Sequence, residues 1–295
     1  MIGIVCERSM GHLDLLFAAE LLVFFVFGLC MGSFLNVCSF RIAQGQSIVW
    51  PGSRCQSCKT PIRALDNIPI LSYILLGGRC RHCKVKLSLQ YPIVEGTVGI
   101  LSVLIALSLG LDLRILRHGA IAPRLLEAAG WFSLCFFMIL IGTIDHRTGL
   151  VPDVVSLPGI ACGFVLVTLL WKVGGATNTH RLLPSPLAMT PLSSLLGILI
   201  GGGLFFAVVL LSKGRMMGGG DIRIGALLGA YMGLRLALLS VLIASIAGTA
   251  LFLPGLIAGR VSRKAEIRFG PLLSFGAIVS SFFGKSLINW YLGLF

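Results

Sequence analysis

Charge is what this sequence has least of. Only 12% of its 295 residues are charged, and Asp and Glu together number 11, whereas about a quarter of the residues of a soluble globular domain are charged. That scarcity excludes an ordinary water-facing surface. With a hydrophobic fraction of 56% and a mean hydropathy of +0.96, the chain reads as an integral membrane protein. Several catalytic signatures are also missing. There is no G-x-x-x-x-G-K-[ST] phosphate loop, no G-x-G-x-x-G behind a strand, no G-x-S-x-G elbow and no H-E-x-x-H pair, which excludes the chemistries those motifs support. The net charge of +13 is not interleaved with aromatics in the basic loops, so a nucleic-acid platform is excluded as well. The first apolar run, near 15–35, has neither a basic n-region nor a small-residue cleavage site, and is expected to be a retained span.

What is present is one apolar run after another. A bilayer core of about 30 Å takes roughly 20 apolar residues per helical crossing, and runs of that kind fall at 15–40, 93–111, 128–144, 154–171, 192–211, 224–234, 236–258 and 271–290. The expected fold is therefore all-α and polytopic, with about eight transmembrane helices. Most of the 24 Lys and Arg lie in the loops 41–92, 145–153, 212–223 and 259–270, which the positive-inside rule places in the cytoplasm. The run 224–234 is short, about 16 Å of helix, so either it starts partway into the bilayer or the membrane thins there, and both options place Asp221 below the cytoplasmic surface. Gly225, Gly229 and Gly233 within it are spaced for close helix approach.

The loop 41–92 holds two C-x-x-C pairs, Cys55–Cys58 and Cys80–Cys83, separated by 21 residues. Each pair forms a knuckle that presents two thiolates, and two knuckles complete a tetrahedral Zn²⁺ shell. Four sulfurs leave no open coordination position, so the expected metal is structural. Redox disulfides or free thiols are the alternative. His82 lies inside the second knuckle and is expected to be a bystander.

Two of the few acids stand at helix ends. Asp145 closes the third apolar run in "IDHRTGLVPD", and Asp221 opens the sixth in "GGGDIRIG", 76 positions later. Topology places both on the same membrane face. Two carboxyls around one water divide the labour of peptide hydrolysis: the ionised one takes a proton from the attacking water, and the protonated one donates to the carbonyl oxygen and the leaving amine. Gly218–Gly220 would let an extended substrate backbone approach closely. Taken singly, each acid reads equally as a helix cap, Asp221 for a helix starting at Ile222 and Asp153 for the fourth span. Glu20 and Glu95 are less easily assigned to loops, because each sits within or beside an apolar run. A proton-coupled transporter using the same acids as a relay is the alternative reading, and a zinc-ribbon membrane scaffold is a third.

The ordered combination of motifs resembles the bacterial type IV prepilin peptidases of the GxGD aspartic class, bifunctional leader peptidases and N-methyltransferases. The resemblance rests on "GSFLNVCSFRI" at 32–42, the cysteine loop at 55–95, "IDHRTGLVPD" at 144–153, "GGGDIRIGALLGAYMG" at 218–233 and "FGP" at 269–271. It implies Asp145 and Asp221 as the catalytic pair and Cys55, Cys58, Cys80 and Cys83 as zinc ligands. It further implies removal of a basic leader from type IV prepilins or type II secretion pseudopilins after a glycine, then methylation of the new N-terminal residue with S-adenosylmethionine as donor. The expected setting is the bacterial inner membrane, with the site facing the cytoplasm and membrane lipids around the helices. The expected division is 1–40 as an N-terminal transmembrane helix, 41–92 as a cytoplasmic zinc-binding loop and methyltransferase region, and 93–295 as the helices carrying the peptidase site.

Overall fold

The computed structural model describes residues 2–111, 121–173, 187, 190–214, 217–259 and 268–294, with side chains from 16 onward in the first helix and from 123 onward in the fourth. Of the basic loop residues, Arg215, Arg260, Arg263 and Lys264 lie outside the described residues. The described elements are helical, in the order α1 (Ile2–Ala43), a 3₁₀ turn (Ala64–Asn67), α2 (Leu71–Leu75), α3 (Gln90–Leu109), α4 (Ile121–Thr148), α5 (Asp153–Lys172), α6 (Pro191–Leu211), α7 (Gly219–Ile257) and α8 (Phe269–Leu292). Seven of them are long and apolar enough to cross a membrane, and the chain is a multi-pass membrane protein.

The chain divides into two compact units. One comprises 1–38 and 47–121, the other 39–46 and 122–295. In the first unit α1 and α3 run antiparallel through small residues. A Cβ on Gly28 would lie 2.6 Å from the Val98 carbonyl, and one on Gly32 would lie 2.7 Å from the Glu95 Cα. Dispersion at such close approach takes the place of the hydrophobic effect, which is absent between helices in lipid. Gly110, at φ +58, ends α3 in the left-handed conformation that favours glycine.

In the second unit, local signals set the helix ends. Gly149 (φ +69) follows α4, extended Pro152 precedes α5, and Thr190 with Ser193 forms a capping box ahead of Pro191 at the start of α6. Contact registers give the directions. Gly159 meets Leu227 and Gly163 meets Tyr231, so α5 and the first half of α7 are parallel. Gly197 meets Gly229 and Gly201 meets Gly225, so α6 is antiparallel to that half. Asp145 meets Gly270 and Met138 meets Ser274, so α4 and α8 are antiparallel, and Gly276 meets Ser240 while Gly248 meets Leu272, so α8 is antiparallel to the second half of α7.

These registers, with Ser240 Oγ 3.8 Å from Met232 Sδ across eight positions of chain, make α7 two passes. Its backbone breaks at Gly233 (φ +67, ψ −178), and the half 234–257 runs opposite to the half 219–232. The sixth and seventh predicted spans are thus one continuous element folded at Gly233, two residues before the Arg235 that separates the two apolar runs. The first half is also longer than the apolar pattern suggested, because the helix begins among the glycines at 219 and reaches about 21 Å. Buried hydroxyls tie the bundle across helices: Ser194 Oγ donates to the Ala230 carbonyl at 2.6 Å, and Ser274 Oγ donates to that of Met138 at 2.6 Å.

Candidate active site

The C-terminal end of α4, the N-terminal ends of α5 and α8 and the first turn of α7 share one end of the second unit. Asp145 is buried there, with 6% of its surface exposed. It lies near the C-terminal end of α4, and its Oδ2 accepts the Gly270 amide at 2.9 Å. Gly270 is in the first turn of α8, where backbone N–H groups have no helical partner and favour a carboxylate. A side chain at 270 does not fit: its Cβ would stand 2.5 Å from Asp145 Oδ2 and 2.8 Å from Cγ. Arg268 and His146 lie within electrostatic reach of the same carboxyl.

Asp221 is half-buried in the first turn of α7, and its charge and that of Asp145 act on each other. The predicted pair is therefore brought together from positions 76 apart. Asp221 is not the N-cap, contrary to the simpler reading: Gly218 is, and Asp221 lies three residues inside the helix. Asp153 is likewise not a cap but the first residue of α5, whose cap is Pro152. It pairs with Arg223, whose Nη1 also donates to the Val151 carbonyl at 3.2 Å. This bridge ties the start of α5 to the second turn of α7. Open space surrounds the Cβ positions of Gly218 and Gly219, but a Cβ on Gly220 would meet Val151 Cγ2 at 2.7 Å. So two of the three glycines leave room for an extended peptide, and the third is needed for the packing of Val151.

The four predicted cysteines also converge. Two turns of the same geometry present them. The Cys55 amide donates to Thr60 and the Lys59 amide to Cys55, as the Cys80 amide does to Val85 and the Lys84 amide to Cys80. Lys59 (φ +59) and Lys84 (φ +58) occupy the left-handed region that each knuckle needs to close. All four Sγ atoms lie within 4.8 Å of one another, and Cys55 Sγ stands 3.8 Å from Cys83 Sγ. A tetrahedron with metal–sulfur bonds of about 2.3 Å has an edge of about 3.8 Å, so the residues fit such an ion. The four thiols lie close enough to shift one another's protonation. Hydrogen bonds from Thr60 hold Cys58 down at about 6. Cys83 stands up at about 11 despite the Val85 amide, because desolvation and the neighbouring sulfurs oppose its charge. Arg81 Nε and Nη2 grip Asp66 at 2.7 and 2.6 Å, which joins the linker to the second knuckle and holds the Asp66 carboxyl below its usual range.

Comparison with known proteins places these features. Residues 26–109 match the bacterial peptidase A24 N-terminal domain, and residues 132–253 match the type IV leader peptidase family. A prepilin leader peptidase/N-methyltransferase of Aeromonas salmonicida (strain A449) is 31% identical over 294 residues, covering 91% of this chain and 92% of its own. This chain belongs to the type IV leader peptidase family. Proteins with the same name from Burkholderia pseudomallei (strain 1026b) and Neisseria gonorrhoeae are 31% identical over 284 residues and 30% over 299. They span 88% and 90% of this chain, and the matches cover 84% and 93% of their own lengths. No solved structure matches it. The family match takes in both Asp145 and Asp221, and the N-terminal domain match takes in all four cysteines. Sequence reasoning missed Gly270 as a partner of Asp145. The only signal was its place in "FGP", and spacing says nothing of a contact 125 positions away.

Proposed function

We propose that this protein is a membrane-edge aspartic endopeptidase that removes the basic leader from type IV prepilins or pseudopilins after a glycine, and then N-methylates the exposed residue. The observation that carries the reading is the meeting of Asp145 and Asp221 at one end of the helix bundle, in a chain whose relatives are named for both activities. Nothing in these similarities supports a proton-coupled transporter.

In the proposed mechanism the two carboxyls share one proton. Asp145 accepts a helix-terminal amide, an arrangement that suits a carboxylate, so it draws the proton from the attacking water. Asp221, carrying the shared proton, donates it to the scissile carbonyl oxygen, and the tetrahedral species collapses as a proton reaches the leaving amine. The bare backbone of Gly218 and Gly219 admits the extended peptide. Cys55, Cys58, Cys80 and Cys83 would hold Zn²⁺, which when bound supplies a structural cross-link for the loop. S-adenosylmethionine supplies an electrophilic methyl group when bound. The segment 1–40 is the first transmembrane helix, 41–92 the cytoplasmic zinc loop associated with methyl transfer, and 93–295 the helices that carry the peptidase pair. The site faces the cytoplasm across the inner membrane, surrounded by lipids.

The test is to incubate purified protein with a prepilin and labelled methyl donor and read the product's N-terminal mass. Mature length plus one methyl group is expected. A substrate of unchanged length would refute the proteolytic reading, and mature length without the added mass would refute the methylating one.

A further inference from the structure

One polar contact of the first unit lies at an unexpected depth. The segment 68–76, "IPILSYILL", belongs by sequence to the loop between α1 and α3. Yet the Ile70 amide donates to Glu95 Oε2 at 2.7 Å, and the Ile70 side chain lies 3.6 Å from where a Cβ on Gly96 would be. Glu95 is in the second turn of α3, buried, and also bonded to Ser33 of α1. The 20 residues of α3 span about 30 Å, the whole hydrocarbon core. Five residues into that helix is about 7 Å below its start. Ile70 is held there in the left-handed region (φ +59), unusual for a β-branched residue.

The segment so pinned turns apolar side chains outward. Leu71 is 49% exposed, Ile74 67% and Leu75 75%, on the short helix α2 that follows Ile70. Exposed Arg63 and Arg79 flank it in sequence, and the one acid nearby, Asp66, is engaged by Arg81. An apolar wedge at the depth of a membrane-spanning helix, bordered by exposed cations, has the amphipathic character of an interfacial segment.

We propose that 68–76 is an interfacial insertion. Leu71, Ile74 and Leu75 rest among acyl chains, Arg63 and Arg79 meet anionic headgroups, and Glu95 is the anchor that sets the depth. The loop is then docked on the bilayer at a fixed height and is not suspended above it. A buried acid in an apolar helix is costly, and satisfying the amide of a re-entrant turn gives Glu95 a physical reason to be there.

The test places a fluorescent amino acid at position 75 of the full-length protein in nanodiscs of mixed zwitterionic and anionic phospholipid, and measures quenching by acyl-chain-brominated lipid. The same label at position 100, near the middle of α3, sets the scale. Quenching at 75 is expected to reach about half of that at 100, and Glu95→Ala is expected to abolish most of it. Quenching at 75 no greater than in unbrominated lipid would overturn the proposal and leave the face to a protein partner. Unchanged quenching in a folded Glu95→Ala variant would overturn the anchoring role. Should that variant not fold, Glu95→Gln, which keeps an acceptor, is expected to retain the quenching. None of these readings depends on peptidase activity.

Discussion

Replacing Gly270 with Ala tests the geometry of the aspartate pair more sharply than removing an aspartate does, because it leaves both carboxyls in place. The added Cβ would lie 2.5 Å from Asp145 Oδ2, 2.8 Å from Cγ and 2.9 Å from Cβ, where ordinary contacts begin at 3.4 Å. Three atoms of one side chain crowd the same point, so the carboxyl must retreat by about 1 Å and its bond to the Gly270 amide is strained or lost. A displacement of that size at a reacting group costs on the order of 10²-fold in rate, equivalent to about 2.7 kcal/mol of barrier. Cleavage of a prepilin by Gly270→Ala should therefore show kcat reduced by about two orders of magnitude with KM little changed, while methylation of already cleaved pilin continues. The coupling is measurable without substrate. The loss of thermal stability in Gly270→Ala should shrink when Asp145 is already Ala, since the clash with Oδ2 and Cγ is gone, and contacting residues couple by about 0.5–3 kcal/mol. Wild-type kcat in Gly270→Ala, or an equal stability loss in both backgrounds, would refute the reasoning.

Three further outcomes are expected. Gly229→Ala puts a methyl group into the backbone of Gly197 and should destabilise the α6–α7 contact by about 1–3 kcal/mol, whereas Gly203→Ala, with open space around it, should be neutral; thermal denaturation in detergent compares them. Metal analysis should find one Zn²⁺ per chain, and Cys58→Ser should lower that content and raise hydrogen exchange across 53–62 and 78–87 before exchange at α4 or α7 changes. The Asp66 carboxyl is held below its usual range by Arg81, so its contribution is present above the unfolded value of about 3.9 and lost as pH falls through the lower folded value. Asp66→Asn should therefore raise exchange in 64–67 at neutral pH but make little difference once the carboxyl is protonated.

The parts of this fold that follow from local rules were legible in the sequence, and the parts that depend on distant contacts were not. Apolar run length located the spans and marked 224–234 as shorter than its neighbours. The same rule misplaced its start, because Gly218–Gly220 read as loop although Gly218 caps the helix and Gly219 and Gly220 open it; propensity yielded to the packing of Val151 against Gly220. The knuckles were legible because C-x-x-C spacing encodes a turn of fixed geometry. The partners of the acids were hidden. Asp153 read as a cap but pairs with Arg223, Asp145 depends on an amide 125 positions later, and Glu95 stood out only as an acid in an apolar run until Ile70 was found bonded to it.

The central claim is that Asp145 and Asp221 act as one catalytic unit. Single-turnover cleavage of a prepilin by Asp145→Asn, Asp221→Asn and the double variant, each shown to retain its metal and its melting temperature, tests it most directly. The account predicts that either single substitution abolishes cleavage and that the double variant is no worse, because residues acting as a unit are non-additive. Substantial cleavage by either single variant would contradict it.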